Sequence, residues 1–188
     1  MDCIQAGDTL SLSSPNKKGG KISTRHKHEG TEHEIRQAQP SDFEGIMDIE
    51  NACFPGELAY SREQMRYLAF KANGVTFVET SDELLRGYIT MVFRRNSDMA
   101  SLETIGVIPT CRGAGVGRRL LKAAEEWMAT QGITWFRLEV SAGNDAAISM
   151  YEKAGYHITE TIPRYYIYKH NGTRTAYRME KDLREPPS

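Results

Sequence analysis

The stretch that decides the fold is Pro109-Thr110-Cys111-Arg112-Gly113-Ala114-Gly115-Val116-Gly117-Arg118-Arg119, which stands between a strand pattern and a helix pattern. Its glycines alternate with other residues, and glycine lets a backbone approach a ligand closely and turn its amides inward. The stretch leads into a helix, whose free N–H groups and dipole favour a phosphate. Arg112, Arg118 and Arg119 add positive charge. We therefore expect a phosphate-binding loop, with a tight turn carrying surface arginines as the alternative.

Two familiar nucleotide loops fit this stretch poorly. A P-loop needs Gly-x-x-x-x-Gly-Lys-Ser/Thr, and neither the lysine nor the hydroxyl is present. A dinucleotide fold needs Gly-x-Gly-x-x-Gly, but the third glycine position, counted from Gly113, is Arg118. Glu139 does follow where a ribose-binding acid would lie. However, that fold begins with its glycine loop, whereas about four strands and two helices are predicted before this one.

The residues after the glycine loop carry the clearest helix pattern in the chain. Apolar side chains recur with the 3.6-residue period over Val116–Thr130, which predicts an amphipathic helix. The apolar run 133–140 shows little alternation, as in a strand covered on both faces. Residues 145–154 then predict a helix that Gly155 can end in the left-handed conformation.

Before the loop, the pattern predicts two helices among four strands. Ser41 and Glu44 have the spacing of a capping box and place the start of the first helix. Phe54-Pro55-Gly56 ends that helix, and residues 61–71 predict the second. The predicted strands are 34–38, 75–80, 85–94 and 100–108.

The end of the chain predicts a hairpin. Residues 156–168 and 174–180 read as strands on either side of His170-Asn171-Gly172-Thr173, and Asn-Gly is the strongest short hairpin signal. The whole order, β-α-α-β-β-β-α-β-α-β-β, predicts a mixed α/β sheet.

Composition narrows the possible functions. The chain has 188 residues and a net charge of −1, so general nucleic-acid or membrane-surface binding is not expected. No apolar run of about 18 residues predicts a membrane span, and the first residues lack the pattern of a signal peptide. The 3 cysteines have no CxxC spacing, so we expect neither disulfides nor a zinc site, and a cytoplasmic location fits.

The chain is expected to divide near residue 32. Residues 1–32 contain no Phe, Tyr or Trp and are rich in Ser, Gly, Lys and Thr. Such a segment cannot bury enough apolar surface to offset its ordering entropy, so we expect a disordered N-terminal tail. Residues 33–183 would form one domain, followed by a short C-terminal tail at 184–188.

Segments on both sides of the loop make the pattern specific. They are Ile105-Gly106-Val107, Glu139-Val140 and Asn144-Asp145-Ala146-Ala147-Ile148-Ser149-Met150-Tyr151-Glu152-Lys153-Ala154-Gly155-Tyr156. With the loop, which is similar to the signature Gln/Arg-x-x-Gly-x-Gly/Ala, they resemble the GCN5-related N-acetyltransferase (GNAT) superfamily. A narrower resemblance to the RimI-type ribosomal-protein-alanine acetyltransferases rests on Ala52-Cys53-Phe54-Pro55, Leu138-Glu139-Val140 and Pro163-Arg164-Tyr165-Tyr166. The resemblance covers residues 33–183. The N-terminal tail has no counterpart in the family, and residues 56–60 differ from the family pattern where the substrate would lie.

The resemblance implies a fold and a cosubstrate. The fold is a mixed, mostly antiparallel sheet with a central, splayed parallel strand pair flanked by helices. Acetyl-CoA would be the acetyl donor, with no metal required. Asn144 would hydrogen-bond it, and a helix N-cap is a compatible role for the same residue. The pantetheine arm would be held by Ile105, Gly106 and Val107, and the pyrophosphate by Arg112, Gly113, Ala114, Gly115, Val116, Gly117 and Arg118.

Two side chains are the candidates for proton transfer. Glu139 ends an apolar strand, and burial makes a carboxylate a stronger proton acceptor, which suits a general base. A salt bridge to Arg137 or another arginine is the alternative. Tyr151 lies on the apolar helix face, and periodicity alone indicates a core tyrosine. The resemblance instead assigns it as the acid that protonates the leaving thiolate. Cys111 as an acyl-carrying nucleophile is disfavoured because no histidine stands in a clear partner position.

The acceptor side is implied by four residues. Phe54, Pro55, Tyr165 and Tyr166 match positions that hold a substrate chain end in the resembled enzymes, although the two tyrosines could simply be strand-forming aromatics. We therefore expect an acetyl-CoA-dependent N-acetyltransferase acting on a protein or peptide N-terminus, with ribosomal proteins as candidate acceptors. The alternatives are a small-molecule amine or lysine acceptor and a non-catalytic acetyl-CoA sensor. No nucleic-acid or membrane partner is expected, and the enzyme would be a monomer or weak dimer.

Overall fold

The computed structural model describes the backbone of residues 4–5, 23–28, 31–54, 56–82 and 84–184, and side chains within those ranges from residue 33 onward. The helices are α1 (Phe43–Cys53), α2 (Arg62–Phe70), α3 (Val116–Thr130) and α4 (Asp145–Lys153). The strands are β1 (Ile4–Gln5), β2 (Ser23–His28), β3 (Thr31–Gln37), β4 (Gly74–Ser81), β5 (Leu84–Phe93), β6 (Met99–Val107), β7 (Trp135–Ser141), β8 (His157–Ile162) and β9 (Ala176–Asp182).

One sheet runs through the described residues in the order β2-β3-β4-β5-β6-β7-β9-β8. Its one parallel contact joins β6 to β7, and their paired residues are only Met99–Ser101 with Trp135–Arg137. After Ser101 the two strands diverge, because β6 continues along β5 while β7 pairs with β9. The predicted mixed, mostly antiparallel sheet with a central splayed parallel pair is confirmed.

Helices cover both faces of the sheet. Helices α1 and α2 pack on one face, over a core that includes Phe43, Ile46 and Tyr88. Helices α3 and α4 cover the opposite face, over a larger core that includes Leu120 and Tyr151. The amphipathic pattern that predicted α3 is confirmed with the predicted bounds, since its apolar stripe is the buried one.

The first helix begins differently from the predicted capping box. A short 3-10 turn, Pro40–Asp42, precedes α1, and Gln39 and Asp42 form the reciprocal cap there. The prediction of Ser41 and Glu44 as the capping pair is wrong, because Pro40 starts a turn earlier than the spacing suggested. A capping box does begin α2, where Ser61 and Gln64 satisfy each other's backbone amides.

The last two strands are shorter than predicted. Strand β8 ends at Ile162 and β9 begins at Ala176, so Tyr165 and Tyr166 lie on the loop between them and not on a strand. The Asn-Gly turn forms at the far end of that loop. Asn171 and Gly172 have φ of 50° and 82°, and His170 bridges Thr173. The prediction of a turn at Asn171-Gly172 is confirmed, but this turn lies within the β8–β9 loop and does not directly join two long strands.

The predicted N-terminal tail lies mostly outside the described residues. Within it, β2 pairs with β3, and β1 lies antiparallel to β6 with Ile4 opposite Ile105. Disorder of residues 1–32 and the domain bounds stay predictions. None of the described helices is long and apolar enough to cross a membrane.

Candidate active site

The glycine loop leads directly into the start of α3. Gly113 and Gly115 both have φ of 76°, a left-handed conformation that glycine adopts without strain. Gly115 is the N-cap, and the first bond within α3 runs from the Arg119 amide to its carbonyl at 3.1 Å. The amides of Val116, Gly117 and Arg118 therefore have no acceptor inside the helix. Such a cradle fits an anionic pyrophosphate.

The arginines around this loop have different roles. Arg119 donates to both carboxylate oxygens of the buried Glu79, at 2.8 and 2.7 Å, and to the Ala114 carbonyl at 2.9 Å. It therefore fixes the shape of the loop. Arg112 donates to the Val107 carbonyl at 3.3 Å and ties the loop to the end of β6. Arg118 is exposed, so its charge faces solvent beside the helix start.

The splayed strand supplies the next part of the site. Ile105, Gly106 and Val107 are buried and pair with β5 along one edge. The other edge of β6 faces β7, but the two strands have already separated at this point. At residues 104 and 105 the backbone of β1 pairs with this edge of β6. A pantetheine arm, with its two amides, fits an edge of this kind because exposed backbone groups there need partners.

Helix α4 places two of the predicted residues. The Asn144 side chain accepts from the Ala147 amide at 3.3 Å, so the N-cap interpretation of Asn144 is confirmed. Tyr151 is fully buried on this helix, and its ring packs edge-to-face on Tyr156 with centroids 5.7 Å apart. Gly117 of α3 approaches the same helix, since a Cβ there would lie 3.1 Å from the Met150 sulfur. The loop, β6 and α4 therefore meet around one corner.

Glu139 lies on the opposite sheet face from Tyr151. Its Oε1 accepts from Nε of Arg178 on β9 at 2.9 Å, and the residue is 8% exposed. The predicted ion pair with an arginine therefore forms with Arg178, because Arg137 pairs with Glu180. This contact orients one carboxylate oxygen of Glu139. The Glu139–Arg178 ion pair lies beyond residue 137, where β7 no longer pairs with β6.

Aromatic rings form a continuous wall beside Glu139. Phe54 meets the His170 ring edge-on at 5.9 Å, His170 meets Tyr166 at 5.2 Å, and Tyr166 meets Tyr165 at 5.0 Å. The wall joins the end of α1 to the β8–β9 loop. Burial, with a contribution from the nearby Glu139 charge, raises the pKa of Tyr166 well above its usual value. Pro55, also predicted for the acceptor site, lies outside the described residues.

A second group of polar residues lies on the same sheet face. An irregularity in the β5–β6 ladder pairs Thr90 with Thr104 and Met91 with Leu102, which leaves Glu103 unmatched. Glu103 accepts from the Tyr60 hydroxyl at 2.7 Å. Residues 103 and 104 both face α1, because Leu102 before them and Ile105 after them both join the α3 core.

The same group contains a buried carboxyl on α1. Glu50 accepts from the Tyr60 amide at 2.8 Å and from the Tyr88 hydroxyl, and burial raises its pKa to about 7. The sequence interpretation passed over Tyr60, Glu103 and His170. A carboxylate inside the apolar run Leu102 to Val107 was the available signal for Glu103.

Together, the loop and the splay can hold an anionic donor on the α3 side, while carboxylates and tyrosines face an acceptor on the α1 side. This arrangement fits a group transferase with a phosphate-bearing donor. The model of the Acetyltransferase (GNAT) family matches residues 43–156, more than half of the chain. The chain belongs to this family of acetyltransferases, so the prediction of an acetyltransferase enzyme is confirmed at the level of the family.

Relatives narrow the resemblance. The chain is 38% identical over 85 residues to the N-alpha-acetyltransferase RimI of Mycobacterium tuberculosis, which covers 45% of this chain and 50% of that protein. It is 32% identical over 108 residues to the ribosomal protein bS18-alanine N-acetyltransferase of Salmonella typhimurium. This match covers 57% of this chain and 66% of that protein. The chain thus spans about half the length of the mycobacterial relative.

Solved structures agree with the fold. The crystal structure of the ribosomal-protein-S18-alanine N-acetyltransferase from Escherichia coli matches with a TM-score of 0.72 at 23% identity, covering 80% of this chain and 94% of that one. The predicted resemblance to GNAT enzymes of the RimI type is confirmed by these matches.

Proposed function

We propose that this enzyme transfers the acetyl group of acetyl-CoA to the N-terminal α-amine of a protein or peptide. The observation that carries the proposal is the aromatic wall from Phe54 to Tyr165 beside Glu139, on the far side of the splay from the glycine loop. The end of a peptide chain fits between the aromatic wall and β7, because the wall offers ring surface and β7 offers the Glu139 carboxylate.

The donor side is held mainly by backbone. The amides of residues 116–118 hold the pyrophosphate, and the edge of β6 at residues 105–107, which β1 covers in part, holds the pantetheine arm. When bound, acetyl-CoA supplies the thioester that the amine attacks. Backbone N–H groups in a fixed strand stabilise a developing oxyanion without reorganising. Asn144 holds the start of α4 in place, and the α4 residue Tyr151 supplies a proton on this side of the sheet.

The acceptor side must remove a proton from an ammonium. Glu139 is the proposed proton acceptor, with Arg178 holding one of its oxygens so that the other faces the acceptor. An α-amine is about 10–15% neutral at pH 7, whereas a lysine amine is about 0.04% neutral, given their usual pKa values. A single carboxylate base therefore meets a smaller deprotonation cost at a chain end. Tyr165 and Tyr166 hold the chain behind it.

Relatives support this acceptor. Two of them are an N-alpha-acetyltransferase of Mycobacterium tuberculosis and a ribosomal protein bS18-alanine N-acetyltransferase of Salmonella typhimurium. We propose accordingly that the acceptor is a protein N-terminus in the cytoplasm, that ribosomal proteins are candidates, and that the enzyme works as a monomer or weak dimer without nucleic acid, membrane or metal.

The proposal is tested with one peptide that carries a free α-amine on a small first residue (Ala, Ser or Thr) and an internal lysine. After reaction with acetyl-CoA at pH 7.5, fragment mass spectrometry locates the acetyl group. We expect the α-amine to be modified far faster. The matched control is the same peptide with its α-amine formylated, which should stay unmodified. Predominant lysine acetylation would refute the N-terminal acceptor and leave the family assignment intact.

A further inference from the structure

His170 is a buried histidine that the proposed reaction does not use. It lies in the β8–β9 loop, where its amide donates to the Thr173 carbonyl at 2.7 Å. Its own carbonyl accepts from the Ser141 hydroxyl at 2.7 Å, and Ser141 is the last residue of β7, two positions after Glu139. The His170 backbone is therefore fixed to the strand that carries the proposed base.

The imidazole ring is enclosed by the aromatic wall. It stands between Phe54 and Tyr166, and His170 is 7% exposed. Burial lowers its pKa, so the ring is neutral at pH 7. The position of this histidine is thus set by two segments, the end of α1 and the β8–β9 loop, that converge beside Glu139.

Two buried polar atoms here lack a hydrogen-bond partner among the described residues: Nδ1 of His170 and the hydroxyl oxygen of Tyr166. Buried polar atoms in native proteins are usually paired, and leaving one unpaired is costly. The two rings are in contact, and the Tyr166 hydroxyl is close enough to Glu139 for its titration to be affected. Both residues therefore belong to the part of the aromatic wall that lies beside Glu139, the proposed proton acceptor.

We propose that His170 and Tyr166 form a hydrogen-bonding site for the side-chain hydroxyl of the acceptor's first residue, so that serine and threonine are preferred to alanine. This inference rests on the proposed function. A hydroxyl donates one hydrogen bond and accepts others. It can donate to a neutral imidazole nitrogen and accept from a phenol, whereas a methyl group leaves both atoms unpaired. His170 is then a specificity-determining residue.

The test compares peptides that differ only in a first residue of Ser or Ala. For the wild-type enzyme we expect kcat/KM to favour the serine peptide at least tenfold, about 1.4 kcal/mol. His170→Phe keeps an aromatic ring but removes Nδ1, and should bring the ratio to about one. The KM for acetyl-CoA should not change, since the donor side is untouched. The matched control is His157→Phe, at an exposed position of β8, which should retain the wild-type ratio.

A second pair of variants keeps the test decisive if His170→Phe does not fold. In asparagine the polar side-chain atoms are bonded to Cγ, as Nδ1 is in histidine, whereas in glutamine they lie one bond further out. His170→Asn should therefore keep a serine preference that His170→Gln loses. A wild-type ratio near one, or an unchanged ratio in folded His170→Phe, overturns the site. Absence of α-amine acetylation on every peptide would instead refute the proposed function, and this inference with it.

Discussion

A negative charge placed at Ala114 tests the phosphate loop without distorting it. Ala114 is exposed between Gly113 and Gly115, and its φ is not positive, so a longer side chain fits without backbone strain. Its carbonyl accepts from Arg119 and its amide donates to the Cys111 carbonyl at 3.4 Å, so its side chain takes no part in the hydrogen bonds of the loop. Ala114→Glu therefore adds a carboxylate to the anion cradle while leaving the cradle's amides in place.

The expected magnitude follows from Coulomb's law. A carboxylate about 6 Å from a pyrophosphate with two charges costs about 1.4 kcal/mol in water at low ionic strength. That is about a tenfold increase in the Kd for acetyl-CoA. The Debye length falls from about 10 Å at 0.1 M salt to about 3 Å at 1 M, so the effect should nearly vanish at 1 M.

Calorimetric titration with acetyl-CoA at low and high salt measures this effect. The matched control is Ala114→Gln, which has the same size without the charge and should bind nearly as the wild type does. Thermal unfolding should show that both variants are folded. Equal affinities of the Glu and Gln variants at low salt would refute the placement of the pyrophosphate at this loop.

Three further outcomes are expected. Glu139→Gln and Tyr151→Phe should each lower kcat by about 10²–10⁴-fold while acetyl-CoA affinity is nearly unchanged, because a proton-transfer group is removed at nearly constant volume. Glu50, whose folded pKa is raised to about 7, should destabilise the protein increasingly as pH rises from about 4.5 to 7, since the folded state binds the proton more tightly. Urea unfolding should therefore show the stability of Glu50→Gln, relative to wild type, rising by up to about 3 kcal/mol between pH 5 and 8. Removing residues 1–8 should tighten acetyl-CoA binding, by about twofold if β1 covers the β6 edge in half of the molecules.

Each of these outcomes can fail clearly. Wild-type kcat in both catalytic variants with a good peptide would show that the proton-transfer roles are wrong. A stability difference independent of pH would show that Glu50 titrates normally. Weaker binding after removal of residues 1–8 would show that the first residues help to hold the donor instead of competing with it.

The donor half of the site was predictable because its chemistry is local. The glycine loop, the helix behind it and the strand before it are consecutive in sequence, and each has a recognisable period or residue type. What the sequence could not supply was the pairing of Arg119 with Glu79, since these residues are distant in the chain and meet only through the α3–β4 packing. The charge of Arg119 therefore shapes the loop through its ion pair with Glu79, whereas the sequence indicated only positive charge near the loop.

The structure also changes a test that the sequence alone would suggest. Gly115→Val is the substitution that the glycine pattern suggests for blocking the pyrophosphate. However, Gly115 has φ of 76°, and a Cβ there would lie 3.1 Å from the Arg119 guanidinium. A β-branched side chain would strain the backbone and disturb that arginine, so lost binding would not separate blockage from misfolding.

The acceptor half was only partly predictable because it is assembled from distant segments. Phe54 ends α1, Tyr166 and His170 come from the β8–β9 loop, and Glu103 faces α1 only because of the irregularity in β6. No periodicity links these segments. Tyr165 and Tyr166 would face opposite sides if they lay on a strand. Tyr166 is indeed more buried than Tyr165, but packing of the loop on His170 decides this and not strand alternation.

The central claim is that the donor and the end of an acceptor chain meet across the splay between β6 and β7. The most direct measurement is the affinity of two conjugates, in which coenzyme A is joined through an acetyl bridge either to the α-nitrogen of a serine-first peptide or to the side-chain nitrogen of an internal lysine. Joining two bound groups typically raises affinity by about 10²–10⁴-fold. We expect the α-linked conjugate to bind at least about a hundredfold more tightly than coenzyme A, and the lysine-linked conjugate to gain little. Equal or tighter binding of the lysine-linked conjugate would contradict the proposal that the end of an acceptor chain meets the donor across this splay.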